Sequence, residues 1–159
     1  MRLIALLVIL LTCAPAAEES KTYENSLLSF RYPADWDLVK DPRGFLVLSR
    51  IMSPNTPGVS IALFPAVGKD HAAAHRYALQ KFQESLGGGF RESAAREVHY
   101  RAGTMLETEL TGSGEEKQLF SSFLLDGKLW VLSCSETRDA ANITVAREIA
   151  ASVRLKTNR

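Results

Sequence analysis

Residues 117–135 read KQLFSSFLLDGKLWVLSCS, two apolar runs on either side of the dipeptide Asp126-Gly127. Asp-Gly is a strong signal for a two-residue hairpin turn, because both central residues of that turn need positive φ. Such a turn pairs Phe123 with Trp130 across the hairpin, and side chains then alternate between its two faces.

Both faces of this predicted hairpin are apolar. One face carries Leu119, Phe123, Trp130, Leu132 and Cys134, and the other carries Phe120, Leu124, Leu129 and Val131. A hairpin with two apolar faces must be covered on both sides to keep those side chains from water.

Further elements extend outward from the hairpin. Short apolar segments separated by Pro and Gly predict strands over residues 27–32, 36–40, 45–51, 59–64, 92–99 and 104–110. Helical spacing predicts helices over residues 70–86, with Asp70 as N-cap, and 139–153. The two helices are the available covers for the hairpin. We therefore predict an α+β fold, an antiparallel β-sheet sandwiched between helices in a three-layer α/β/α arrangement.

Length and charge limit the class of protein. The chain has 159 residues, 46% of them hydrophobic and 23% charged, which is typical of one globular domain. It has 19 basic and 18 acidic residues, without a basic excess or a basic stripe. A nucleic-acid ligand is therefore not expected, because such binding depends on clustered positive charge.

The first sixteen residues have the pattern of a secretory signal peptide. Arg2 precedes the apolar run of residues 3–11, which is too short to span a bilayer as a helix. Two processing routes remain open: cleavage after Ala16, or lipidation of Cys13 in a lipobox-like sequence whose Thr12 is atypical. We predict a signal peptide over 1–16, a mobile polar lead-in over 17–21 and the folded domain over 22–156.

Either route leaves Cys134 without an internal disulfide partner. Cys134 lies in the apolar hairpin, with no basic neighbour in sequence that would activate a thiol. We therefore expect a buried structural cysteine.

Several short motifs are shared with a known family. They are Tyr23-Glu24-Asn25, Phe30-Arg31-Tyr32-Pro33 followed by Trp36, the Asp126-Gly127-Lys128 hairpin leading into Trp130-Val131-Leu132, and the closing Ser152-Val153-Arg154. With this order of elements, the chain resembles the PsbP-like superfamily, which includes the photosystem II subunit PsbP, the Ran-binding Mog proteins and bacterial DcrB-type envelope lipoproteins.

The resemblance implies a non-enzymatic binding or assembly module of the bacterial envelope. It transfers no catalytic residue and no cofactor. We expect a periplasmic or secreted monomer with an envelope protein as its partner, in contact with the membrane only if Cys13 carries lipid.

The alternative function is periplasmic metal binding by His71 and His75. Histidines at i and i+4 lie on one side of a helix and can share a divalent metal, with Asp70 or His99 completing the shell. The competing interpretation is a pair of histidines that face the sheet and form hydrogen bonds near the start of the helix. A hydrolase is a third and weaker hypothesis, because the sequence shows no nucleophile and base together.

Two further features bear on surface chemistry. Glu107 and Glu109 alternate on one strand face, near Arg96, and predict a solvated salt-bridged surface. The loop over residues 52–58, with Pro54, Asn55 and Pro57, is the candidate for contact with a partner, because long surface loops often carry binding residues.

Overall fold

The computed structural model describes residues 19–42, 46–50, 58–65, 70–114, 116–125, 127–136 and 142–156. Most of this described chain is antiparallel sheet, and two helices accompany it. The elements are β1 (Ser20–Glu24), β2 (Leu28–Pro33), β3 (Trp36–Lys40), β4 (Leu46–Arg50), β5 (Val59–Pro65), α1 (His71–Ser85), β6 (Arg91–Glu92), β7 (Arg96–Tyr100), β8 (Gly103–Thr111), β9 (Lys117–Leu125), β10 (Lys128–Glu136), α2 (Asn142–Ser152) and β11 (Arg154–Leu155).

The large sheet is built around the predicted hairpin. Its strands follow the order β3-β4-β5-β10-β9-β8-β6, with β7 also paired to β8. In the β9–β10 pair Phe123 lies opposite Trp130 and Leu124 opposite Leu129, so the predicted register is confirmed. Gly127 has a φ of 69°, the positive value that the turn requires.

A second sheet of three strands, in the order β1-β2-β11, was not predicted. Ser20 and Lys21, assigned from the sequence to a mobile lead-in, belong to β1 and pair with Pro33 and Tyr32 of β2. The Tyr23 and Phe30 rings lie 5.0 Å apart across this pair. Pairing with a neighbouring strand thus orders a segment whose own sequence is mostly polar.

Two hydrophobic clusters lie on the two faces of the large sheet. The first contains Leu119, Phe123, Trp130, Leu132 and Cys134 of the hairpin, together with α2 and β2 side chains. The second contains Phe120, Leu129 and Val131, together with α1 side chains. The side chains of the two hairpin faces therefore belong to different buried clusters, and the cluster that contains α2 side chains includes residues of the small sheet as well.

The helices begin and end as their capping residues indicate. The side chain of Asp70 accepts a hydrogen bond from the amide of Ala72 at 3.1 Å, as an N-cap does. At the other end of α1, Gly87 has a φ of 84°, which favours glycine. The residues predicted to begin the second helix, 139–141, lie outside the described part of the chain.

The predicted strand over 92–99 is interrupted. β6 and β7 both pair with β8, and residues 93–95 separate them. The interruption is bridged by Ser93, whose amide donates to the carbonyl of Glu109 at 2.9 Å and whose Oγ accepts from the Glu109 amide at 3.0 Å. Ser93 thus keeps this edge of the sheet closed where regular pairing stops.

Candidate functional site

The two helix histidines converge on a serine of the sheet. Nε2 of His71 lies 3.1 Å and Nδ1 of His75 lies 2.7 Å from Oγ of Ser122. Nε2 of His75 lies 3.0 Å from Oγ1 of Thr108 on the neighbouring strand. We name these four residues, His71, His75, Thr108 and Ser122, the histidine cluster.

The register of the sheet explains this convergence. Ser122 and Leu106 are opposite each other in the β8–β9 pair, so Ser122 and Thr108 both point toward α1. His71 and His75 are one helical turn apart on the face of α1 that meets the sheet. The sequence predicted this face of the helix, but it did not identify the two hydroxyl partners.

Burial controls the protonation of the cluster. His75 is 2% exposed, and loss of water around its ring lowers its pKa to about 4, with a further lowering by the nearby His71. Burial also lowers the pKa of His71, against the opposing effects of the Ser122 hydrogen bond and of the Asp70 and Glu97 carboxylates. His75 is therefore a neutral imidazole at pH 7.

This chemistry is unsuited to a serine nucleophile. Ser122 is fully buried, and a histidine with a pKa near 4 is a poor general base at neutral pH. Both nitrogens of His75 are already in contact with hydroxyl groups. The cluster can anchor α1 to the sheet through neutral hydrogen bonds.

The further ligands suggested for a metal do not join the two histidines. Asp70 caps α1 through the Ala72 amide, and Nδ1 of His99, an exposed side chain, lies 3.0 Å from Oγ1 of Thr104. Across the described ranges, no group of three or more His, Cys, Asp or Glu side chains is placed to hold a metal ion.

A buried carboxylate lies on the opposite face of the sheet. Glu107 is 2% exposed, and its Oε2 accepts from Nη2 of Arg96 at 2.6 Å and from Nη2 of Arg147 at 3.1 Å. Arg147 also reaches Oε1 of Glu109 at 3.1 Å. The prediction of a solvated surface is wrong for Glu107, because α2 covers it and supplies a second guanidinium.

Two adjoining cavities lie beside α2, and we name them together the α2 groove. They have volumes of about 360 and 460 Å³, and both are lined by Glu19, Pro33 and Glu148. Arg50, also in the lining, is the last residue described before the 52–58 loop. The groove was missed from the sequence because its walls come from both chain ends and from the small sheet.

Several predicted sites lie outside the described residues. These are Cys13 with the rest of the leader, and Pro54, Asn55 and Pro57 of the partner loop. Cys134 is a buried cysteine on β10, as the sequence predicted, and it forms no disulfide with another described residue. Where the helices are described, neither is long and apolar enough to cross a membrane.

Comparison with solved structures identifies the class of fold. The chain has the PsbP-like fold, so the predicted resemblance to that superfamily is confirmed for the fold.

Individual structures support this assignment over nearly the whole chain. The solution structure of cyanobacterial PsbP (CyanoP) from Synechocystis sp. PCC 6803 matches with a TM-score of 0.63 at 14% identity, covering 92% of this chain and 99% of that one. The Ran-binding protein Mog1p of Saccharomyces cerevisiae matches with a TM-score of 0.55 at 12% identity, covering 87% and 96%. A single-site variant of Mog1 gives a TM-score of 0.60 at 13% identity, covering 88% and 97%.

Comparison by sequence gave a different outcome: neither the family models nor the curated protein sequences matched the chain. The structural likeness at these low identities shows the fold alone.

Proposed function

We propose that this chain is a non-enzymatic binding or assembly module of the bacterial envelope. The observation that carries the proposal is the PsbP-like fold over nearly the whole chain, shared with cyanobacterial PsbP and with a Ran-binding protein. The secretory pattern of residues 1–16 favours the envelope as its location.

The chemistry of the interior favours binding over catalysis. The contact of a serine with a histidine, Ser122 with His75, is buried under α1 and joins neutral groups. The buried carboxylate Glu107 forms ion pairs with Arg96 and Arg147, so both of its neighbouring cations are already engaged in a structural contact. Both arrangements serve to attach a helix to the sheet.

We propose the α2 groove as the surface that contacts the protein partner. Among the described residues, the carboxylates of Glu19, Asp35 and Glu148 in its lining form no ion pair, so they are available to basic side chains of a partner. The chain continues from Arg50 at the groove into the predicted partner loop. The α2 groove would then be the partner surface of a monomeric module.

Site-specific photo-crosslinking tests this interface. A photoreactive residue at Ala151, exposed in the groove, should give a specific adduct with an envelope protein, whereas one at Ala73, exposed on α1, should give none. Glu148→Lys should reduce the yield of the adduct, and Glu116→Lys, an exposed control, should not. Equal adducts at both positions would contradict the assigned surface, and repeated capture without any adduct would contradict the binding function.

Export has its own measurement. The intact mass of the mature protein distinguishes a chain that begins at Ala17 from one that begins with acylated Cys13. A mature protein that retains Met1 and the apolar run would contradict export by either route.

The finer layer arrangement, with one helix on each face of the large sheet, is part of this proposal. It is supported by the separation of the two clusters, since Leu79 of α1 lies in one and Ile149 of α2 lies in the other. The test is amide exchange, measured separately for the two helices, in the side-chain variants Leu79→Ala and Ile149→Ala.

Metal binding by His71 and His75 is the second candidate. It is favoured by the convergence of two imidazole nitrogens on one point, the Ser122 hydroxyl, where a metal could displace that contact. Calorimetry with Zn²⁺ should then show one site that is lost in His71→Ala. Absence of heat above the buffer control in the folded wild-type protein would contradict this candidate.

A further inference from the structure

A third cavity lies on the other side of the sheet, between α1 and residues 92–97. Its volume of about 380 Å³ is in the range of small-molecule pockets, and we name it the α1 cavity. Leu79 of α1 and Leu106 of β8 give it apolar walls, and His75 and Thr108 of the histidine cluster also line it. It shares no lining residue with the α2 groove.

The lining carries charges of both signs that do not neutralise each other. Arg76 and Glu97 both line the cavity and are exposed, and neither forms an ion pair or a side-chain hydrogen bond with another described residue. Glu92 adds a second carboxylate, which accepts a hydrogen bond from Nε2 of Gln83 at 2.8 Å. The cavity therefore presents an unpaired cation and an unpaired anion within the space of one small molecule.

The buried wall can present either a hydrogen-bond donor or an acceptor. Ser122 has one hydroxyl hydrogen but contacts two imidazoles, so at least one imidazole must donate to it. If His71 donates to Ser122 and Ser122 donates to Nδ1 of His75, then Nε2–H of His75 donates to Thr108. The hydroxyl hydrogen of Thr108 is then left for another acceptor. If the chain runs in the opposite direction, Thr108 donates to His75 and retains only lone pairs.

We propose that the α1 cavity binds a small zwitterion of the α-amino acid type, with its carboxylate at Arg76 and its ammonium group at Glu97. The Thr108 hydroxyl, oriented as a donor by the chain behind it, provides a second contact for the carboxylate. Glu92 supports the ammonium group, and an apolar substituent packs on Leu79 and Leu106. The neutral state of His75 leaves recognition to the two rim charges. This proposal does not depend on the partner surface at the α2 groove.

Titration with free amino acids tests the proposal. Each of the twenty L-amino acids is added to the ¹⁵N-labelled protein, and at least one should cause saturable shifts of the amides of Ala94 and Ala95, which line the cavity. Calorimetry on that amino acid should show affinity weakened about tenfold or more by Arg76→Gln and by Glu97→Gln, because each removes one charge-assisted contact. Lys128→Gln, which changes an exposed charge at the far hairpin, should leave the affinity unchanged.

Matched analogues separate recognition of a zwitterion from general charge attraction. The amine that lacks the carboxylate and the acid that lacks the amino group should each bind about tenfold or more weakly than the parent amino acid. Equal affinity of either analogue would overturn the proposal. So would the absence of saturable shifts with every amino acid, provided that the spectrum shows a folded protein.

Discussion

Acid should destabilise this protein through His75. The imidazole is neutral in the folded state, with its pKa lowered to about 4, whereas in the unfolded chain it titrates at its ordinary value of 6.5. Between these two values the unfolded state binds more protons than the folded state, so the free energy of unfolding falls as the pH falls. Below the folded pKa both states are protonated, and the loss stops growing.

The magnitude follows from the distance between the two pKa values. At about 1.4 kcal/mol for each unit of pKa, the full loss is about 3 kcal/mol, and roughly 2 kcal/mol of it falls between pH 7 and pH 4.5. The lowered pKa of His71 adds a contribution of the same sign. Such a loss is a large part of the 5–15 kcal/mol that is typical of a domain, about a fifth or more.

Urea unfolding of the wild type and of His75→Gln at pH 7 and pH 4.5 measures this effect. The variant removes the titrating group, so its free energy of unfolding should change less between the two pH values, by roughly 2 kcal/mol. At pH 7 the variant should itself be less stable by about 1–3 kcal/mol, because Ser122 or Thr108 loses a partner. His99→Gln, which alters an exposed ring bound to Thr104, should keep the pH dependence of the wild type.

Two results would refute this reasoning. One is the same pH dependence of stability in the wild type and in His75→Gln. The other is a direct NMR titration in which the imidazole of His75 becomes protonated near pH 6.5 in the folded protein, since burial would then not disfavour its charge.

Four further substitutions test the packing. Gly58→Ala should destabilise the protein by about 1–3 kcal/mol in urea unfolding, because a Cβ at this position would overlap the buried ring of Trp36. Glu107→Gln should lower the free energy of unfolding by about 1–3 kcal/mol, because Arg96 and Arg147 lose charge-assisted hydrogen bonds to a buried carboxylate. Leu79→Ala should speed amide exchange in α1 and not in α2, and Ile149→Ala should do the reverse, if each helix covers its own face of the sheet.

Matched controls distinguish these effects from general fragility. Gly114→Ala should be nearly neutral, because a Cβ at this position would have no atom within 4 Å and the φ of Gly114 is ordinary. Glu109→Gln should cost less than about 1 kcal/mol, since this carboxylate is half exposed. If Gly114→Ala were as destabilising as Gly58→Ala, the overlap with Trp36 would be contradicted as the cause. If Glu109→Gln were as destabilising as Glu107→Gln, the role of the buried ion pairs would be contradicted. Equal exchange changes in both helices after either truncation would contradict the placement of one helix on each face.

The sequence predicted the centre of the fold because the relevant signals are local. The Asp126-Gly127 turn sets which residues of the hairpin are opposite, and a period of two then assigns every side chain to a face. Phe123 and Phe120 accordingly lie in different clusters, as predicted. The Asp70 cap is local in the same way.

Local sequence signals of this kind did not predict the small sheet. β1 is a mostly polar strand, and β11 is only two residues long, so neither has an apolar pattern of its own. Both strands exist because β2 offers them a partner, at a distance of more than 120 residues for Arg154 and Ser29. Pairing over this separation is a tertiary property that periodicity does not encode.

The polar sites show the same limit. The i and i+4 spacing of His71 and His75 placed both rings toward the sheet, but their hydroxyl partners come from β8 and β9. Glu107 was expected at the surface beside Arg96, which is near in sequence. Arg147, which also binds Glu107, follows forty residues later on α2, and no sequence pattern connects the two. Sequence spacing identified these ionisable side chains as candidates. Only the packing of the helices showed that His75 and Glu107 are buried.

The two helices are attached to the sheet by different forces. α1 is held by Ala74, Ala78 and Leu79 and by an imidazole that is neutral in the folded state, whereas α2 is held by Ala146 and Ile149 and by ion pairs from Arg147. Mild acid should therefore detach α1 first and expose the Phe120 side of the sheet while the Trp130 side remains closed. In a compartment whose pH falls and recovers, the Phe120 side of the sheet would thus open and close while the Trp130 side stays covered.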